Sequence, residues 1–433
     1  MGKLEKYSSY KDSGVEWLGE IPEHWKLIKL KFLLKEKVSD GPHETPTFID
    51  EGVPFLSVDG IQDGELTFEK CRYVSKKDHN LYSKKANVTK GSILMGKAAS
   101  TGKIAQVKVN FPFSIWSPLA LIKPNEQISS SILEYYLKSH YSQIQIDWFC
   151  NINTQKNIGM GDIPKILVVL PQKEEQTKIA SFLDDKTAQI DEVISQKQKL
   201  IELLKEQKQI VINDAVTKGL DKDVEFVDSG VEWIGQIPKH WNVEKGKRLF
   251  QQMKRPVREQ DEIVTCFRDG EVTLRINRRT DGFTNALKEH GYQGIRKGDF
   301  VIHNMDAFAG AIGISDSDGK STPVYSVCRP WNEDLVFSEY YARYLRNLAL
   351  QDFILSLAKG IRERSTDFRF KDFGELEYPL PPKDEQIKIV EYIENQTTKI
   401  DKAIELQQNY ISKLKEYKAS LIDSVVTGKV RVV

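Results

Sequence analysis

"LPQKEEQTKIASFLDDKTAQIDEVISQKQKLIELLKEQKQIVINDAVTKG" runs from Leu170 to Gly219, and "LPPKDEQIKIVEYIENQTTKIDKAIELQQNYISKLKEYKASLIDSVVTGK" runs from Leu380 to Lys429. The two align without a gap at an offset of 210 residues. Neither contains Gly or Pro from Glu174 to Lys218 or from Asp384 to Thr427, and both are rich in Glu, Lys, Gln, Leu and Ile, so each is predicted to be one long helix. Apolar residues spaced alternately by four and three predict a coiled-coil seam. In the first copy the seam is Ile179, Leu183, Ile190, Val193, Leu200, Leu204 and Val211; in the second it is Ile389, Ile393, Ile400, Tyr410, Leu414, Tyr417 and Leu421. Polar residues interrupt both copies at matching places, Lys186 with Gln396 and Lys197 with Gln407. At 1.5 Å per residue, about 40 residues make a rod of roughly 60 Å. A lone helix would leave that seam in water, so the two are expected to pack on each other in the antiparallel sense.

A shorter phrase is duplicated as well. "DSGVEWLGEIPEHW" (Asp12 to Trp25) recurs as "DSGVEWIGQIPKHW" (Asp228 to Trp241), with eleven of fourteen residues identical. Its tryptophans and prolines offer large apolar surface and a stiff turn, which suits a joint between a globular domain and the end of a rod. His24 and His240 have no accompanying nucleophile or carboxylate constellation in both copies, so a structural role is expected for them.

A chain of 433 residues with a repeat of this length favours two similar halves over one enlarged core. With 63 basic and 62 acidic side chains, the molecule is no polycation, and any nucleic-acid face must be locally sorted. There is no apolar run of about 20 residues and no signal-peptide core at the start, which points to a cytoplasmic protein. Cys71, Cys150, Cys266 and Cys328 are scattered without a Cys-x-x-Cys pair, arguing against a disulfide framework or a structural zinc site.

Between the repeated segments the halves share only a pattern. "KGSILMGKAASTGKIAQV" (Lys90 to Val107) parallels "KGDFVIHNMDAFAGAIGIS" (Lys297 to Ser315): a Lys-Gly turn, an apolar strand, a variable loop and a second strand. "LEYYLKS" (Leu133 to Ser139) and "SEYYARYLRN" (Ser338 to Asn347) predict a helix in each half. Short strands punctuated by Gly and Pro, with such a helix, indicate mixed α/β domains whose loops have diverged on a kept scaffold. Arg72 is the only arginine before residue 174, whereas 14 arginines fall between residues 220 and 382. Arginine reads guanine bidentately in the major groove, and lysine does so less directionally. No Gly-x-Gly-x-x-Gly, Gly-x4-Gly-Lys-Ser/Thr or His-Glu-x-x-His motif is present, and "HNMD" (His303 to Asp306) faces "GKAA" in the first half, so no cofactor or metal is expected.

Both opening phrases, both "LPxKxEQ" segments (Leu170 to Gln176, Leu380 to Gln386) and both coiled segments together resemble the specificity subunits of type I restriction-modification systems, over nearly the whole chain. The resemblance implies an α+β protein: two similar mixed α/β target-recognition domains joined by two long antiparallel coiled-coil helices, with pseudo-twofold symmetry. On that reading residues 1–173 and 220–382 are the recognition domains, and 174–219 and 383–433 the helices. It also implies a non-catalytic subunit that reads a bipartite double-stranded DNA site. Two methyltransferase subunits would bring S-adenosylmethionine, and motor-nuclease subunits would complete the restriction enzyme. The competing reading is a coiled-coil scaffold with two protein-binding domains.

Candidate DNA contacts follow from side-chain chemistry alone. In the first half they are Lys84, Lys85, and Lys97 and Lys103 on the small-residue loop "GKAASTGK", joined by Asn153, Thr154, Gln155 and Asn157. In the second half they are Arg255, Arg258, Arg275, Arg278, Arg279, Arg362 and Arg364.

Overall fold

Lys173–Lys218 and Lys383–Val426 form uninterrupted α-helices of 46 and 44 residues in the computed structural model, which describes residues 5–151, 156–278, 290–357 and 367–432. The chain divides into two units: Met1–Lys197 with Asn409–Val433, and Gln198–Gln408. Each unit thus holds the near half of one long helix and the far half of the other.

In unit 1 a four-stranded antiparallel sheet runs in the order Ile104–Gln106, Ile93–Gly96, Leu119–Ile122, Ser39–Asp40. Strands buried on both faces read as continuous apolar runs, and "ILMG" and "LALI" do so because each face meets its own core. Ile93, Met95, Ala120 and Ile122 pack with the helix Ser130–Lys138 and with Ile179 and Leu183 of the first long helix. Leu94, Ala105, Leu119 and Leu121 face a second core built on Leu56, Phe113 and Ile115. Unit 2 repeats the order with Ile312–Ile314, Phe300–His303, Tyr325–Pro330 and Phe250–Gln252. Phe300, Ile302 and Cys328 pack under the helix Ser338–Leu350, while Val301 and Val327 meet Val264, Val272 and Ile295.

The joint between globular part and rod is built twice from the same residues. Glu175, in the first turn of the first long helix, accepts from the buried Trp25 indole at 2.8 Å and lies 3.0 Å from His24 Nε2. Glu385 does the same for Trp241 at 3.0 Å and for His240 at 2.8 Å. The neighbouring glutamines are almost wholly buried. Gln176 accepts from Ser129 N and donates to the carbonyls of Gln127 and Pro171. Gln386 accepts from Phe337 N and donates to Leu335 O and Pro381 O. His24 and His240 are therefore structural, holding the carboxylate that begins each helix. The other helix ends on the same tryptophan. Gly428, at φ +73°, would place a Cβ 2.4 Å from Pro22 Cδ and 3.0 Å from Trp25 Cζ3, and Lys429 donates to the carbonyls of Leu18 and Glu20. In unit 2, Gly219 at φ +75° abuts Trp241 and Glu385 in the same way. Only glycine fits so close an approach in a left-handed conformation.

Within each unit the paired helix segments run antiparallel. In unit 1, Lys418 Nζ lies 2.5 Å from Asp191 and Lys197 Nζ stands 4.5 Å over the Tyr410 ring. In unit 2, Lys208 pairs with Asp401 at 2.7 Å. The seam follows a different phase from the alternating-spacing reading. Ile179, Leu183, Ile190, Ile389, Ile393, Ile400 and Leu421 are buried, and Leu204, Val211 and Leu414 are half-buried. Val193, Leu200, Tyr410 and Tyr417 are 39–48% exposed, whereas Ile194, Ile201, Ile411 and Lys418 beside them turn inward. A second four-residue step, Leu183 to Thr187 and Ile393 to Thr397, sets that phase. The inward polar residues there are Thr187 and Thr397, whose hydroxyls donate back to the Asp184 and Glu394 carbonyls, not Lys186 and Gln396.

This phase is open to a direct check. Ile194→Asp buries a carboxylate and is expected to lower unfolding stability by several kcal/mol, while Val193→Asp, one residue away, stays within about 1 kcal/mol. Urea unfolding of the two variants measures the difference, and equal losses would contradict the assigned seam.

Candidate nucleic-acid interface

The loop that follows the second sheet strand positions chemistry in unit 1. Lys97 begins it, and its ammonium donates to Asp40 Oδ2 at 2.7 Å. Lys85 donates to Asp40 Oδ1 at 2.5 Å and to Gly41 O at 3.2 Å, and His43 Nε2 lies 3.2 Å from the same carboxylate. Burial alone would push the Asp40 carboxyl up, but the hydrogen bonds and charges of Lys85 and Lys97 outweigh it and hold it below the usual carboxylate range. Asn157 is exposed on the short strand Asn157–Ile158, which bridges to Ala98 of the same loop. Lys85 and Lys97 are thus brought together on Asp40, their unforeseen centre, and Asn157 pairs with the residue after Lys97. Lys103 donates to Ile61 O at 2.9 Å, and Lys84 is exposed with no carboxylate partner among the described residues. Asn153, Thr154 and Gln155 lie outside the described residues.

In unit 2 the described arginines singled out from sequence are held by protein groups. Arg255 makes a two-pronged pair with Asp299, at 2.5 and 3.2 Å, and Arg329 binds the same fully buried carboxylate at 2.7 Å. Arg258 pairs with Asp318 at 3.2 Å, and Arg275 donates to Thr265 Oγ1 at 3.3 Å. Arg278 meets Asp269 and Glu271 at 2.7 and 2.9 Å and lies 4.3 Å over the Phe267 ring. Exposed pairs of this kind contribute little stability but preset a guanidinium's direction. Arg279, Arg362 and Arg364 lie outside the described residues.

A cleft of about 920 Å³ opens beside Arg255, lined among others by Lys254, Gln293, Asn304, Arg369 and Lys371. Lys254 and Lys371 are exposed cations with no carboxylate partner among the described residues. Lys254 stands beside Arg255 and Arg258 in one basic cluster of the sequence. With "GKAA" set against "HNMD", Lys97 stands opposite Asn304. "HNMD" proves to be a turn: His303 Nδ1 accepts the Asp306 backbone N–H at 3.0 Å and its ring meets Tyr325 edge-on, with burial holding the imidazole pKa down. Among the described residues no group of three His, Cys, Asp or Glu is placed to hold a metal, and no helix is long and apolar enough to cross a membrane. The four cysteines are free.

Residues 22–203 match the model of the type I restriction modification DNA specificity domain. A Methanocaldococcus jannaschii protein, named for the specificity subunit of the type I restriction enzyme MjaX, is 24% identical over 430 residues, covering 96% of both chains. A chain from a structure of a type I R-M system superposes with a TM-score of 0.68 at 15% identity, covering 95% of this chain and 99% of that one. The HsdS subunit of Thermoanaerobacter tengcongensis gives 0.54 at 15% identity, over 95% and 98%. Over nearly its whole length this chain is thus similar to the specificity subunits of type I restriction-modification systems.

The Asp40 cluster predicts a pH signature. Because the folded-state carboxyl lies below its unfolded value of about 4, its contribution is full above that pH and is lost as pH falls through the folded-state value. Asp40→Asn should therefore lower stability at neutral pH and flatten the acid limb of a urea-unfolding series below about pH 4. A parallel downward shift at every pH would show that the lysines do not depend on the charge.

Proposed function

We propose that the chain is the sequence-reading subunit of a cytoplasmic type I restriction-modification complex, each unit reading one half of a bipartite double-stranded DNA site. The observation that carries this reading is the duplication itself: one sheet and one helix joint are kept twice, while the loops at the same place bear different polar groups. The chain supplies recognition; methyltransferase subunits with S-adenosylmethionine, and restriction motor-nuclease subunits, supply the chemistry. Two modules tied to one pair of helices gain effective concentration when both half-sites are engaged, so the spacer follows helix length.

The shifted seam supports the partner assignment. Leu203, Ile210 and Leu406 on the long-helix segments of unit 2 are more than half exposed, as is nearly so for Tyr410 in unit 1. Exposed apolar rows on a helix suit burial against partner helices.

Filter binding of the chain with its methyltransferase partner, across a salt series, tests the DNA role. Retention should depend on sequence and weaken linearly in log salt; sequence-independent or absent retention at low salt would favour the protein scaffold instead. Leu203→Asp with Ile210→Asp should leave the isolated chain folded by circular dichroism but abolish co-purification with the methyltransferase subunit. Unimpaired assembly of that variant would remove these helix faces from the partner interface.

A further inference from the structure

The strand pairings place the two reading loops in one common frame. In unit 1, Lys97 N donates to Pro118 O and Lys97 O accepts from Ile158 N. In unit 2, Asn304 N donates to Val324 O and Asn304 O accepts from Phe368 N. Lys97 and Asn304 therefore occupy the same scaffold position. The outer strand agrees: Asp40 lies opposite Ala120, and the pairing of Gln252 with Cys328, continued by Met253 N to Val327 O, brings Lys254 opposite Ser326. Ala120 and Ser326 are themselves equivalent, each two residues beyond the carbonyl that receives the loop. Asp40 thus answers to Lys254.

Resting on the DNA-reading function above, we propose that base edges are read by these equivalent pairs, Asp40 with Lys97 in unit 1 and Lys254 with Asn304 in unit 2, and that Lys371 grips the DNA backbone at the second cleft. The pairs differ in chemistry at a fixed place. Unit 1 presents a carboxylate beneath two ammonium groups: the carboxylate accepts from an exocyclic amino group, and a lysine ammonium donates to a neighbouring carbonyl. Unit 2 presents donors. Asn304 is only 7% exposed, and its Oδ1 is taken by Ser326 Oγ at 2.8 Å. Its Nδ2 has no acceptor among the described residues, although it lines the cleft. An amide donor on the cleft wall with no protein acceptor is free to donate to a purine N7 or a guanine O6. The unpaired Lys254 adds a second donor for the same edge. The two half-sites are consequently different sequences, the second richer in guanine.

The test uses the full chain with its methyltransferase subunit and a DNA library randomised in both half-sites, retained DNA being sequenced at several salt concentrations. Asn304→Ala and Lys254→Ala should each relax the preference at a position of one half-site, with a loss of about 5- to 150-fold for the preferred base, and leave the other half-site unchanged. Lys371→Ala should weaken all sequences alike and reduce the salt slope by about one. Lys254 is exposed, so its variant answers even where Asn304→Ala impairs folding. A wild-type complex with no sequence preference overturns DNA reading, and this proposal with it. A selective wild type whose consensus survives both Lys254→Ala and Asn304→Ala overturns this proposal alone.

Discussion

A carboxylate at the start of each long helix takes the indole N–H of one buried tryptophan, and the glycine that ends the other long helix rests on that same ring. Beside it a buried glutamine closes three backbone hydrogen bonds to the globular part. These are strong constraints because a buried amide left unpaired costs about 1–3 kcal/mol, so the glutamine fixes where the helix begins. An error in helix direction at the joint would be magnified along some 40 residues. A stiff joint is therefore the condition on which any use of these helices as a measuring element depends.

The sheet attached to that joint separates stability from recognition. Its central strands are covered on both faces, so they are largely apolar in both units although the residues differ. The loop between the second sheet strand and its hairpin partner leaves the core and is free to change. The carbonyl-to-amide contacts that anchor its first residue are made by backbone atoms, which tolerate any side chain there. Lysine in one unit and asparagine in the other thus occupy one frame without altering it. Binding chemistry that diverges on rigid support is what a family of readers with different targets requires.

Much of this was legible beforehand, for physical reasons. Long helices without Gly or Pro, a duplicated Trp-bearing phrase and an apolar strand after a Lys-Gly turn each leave a local pattern. The seam phase was harder, because Val193 and Ile194, like Leu200 and Ile201, are adjacent apolar residues of which only one faces inward. Spacing cannot choose between them; the threonines at 187 and 397 decide it by turning their hydroxyls back on the helix. The surroundings of the candidate contact residues were least legible. Arg255 and Arg278 stand out by type, but the carboxylates that direct them, Asp299, Asp269 and Glu271, are distant in sequence or on the far side of a turn. Asp40 was invisible because its meaning lies in two lysines 45 and 57 residues away.

The division of the chain has a bearing on how it is made. Unit 2 is one continuous stretch, Gln198–Gln408, whereas unit 1 needs Asn409–Val433 to cover its tryptophan. On the ribosome, unit 2 has its whole complement of residues while unit 1, although begun first, still exposes the apolar side of its helix. Contacts such as Tyr10 with Gly428, 418 residues apart, form last. The earlier-synthesised end is therefore completed last, opposite to the usual order in which domains mature.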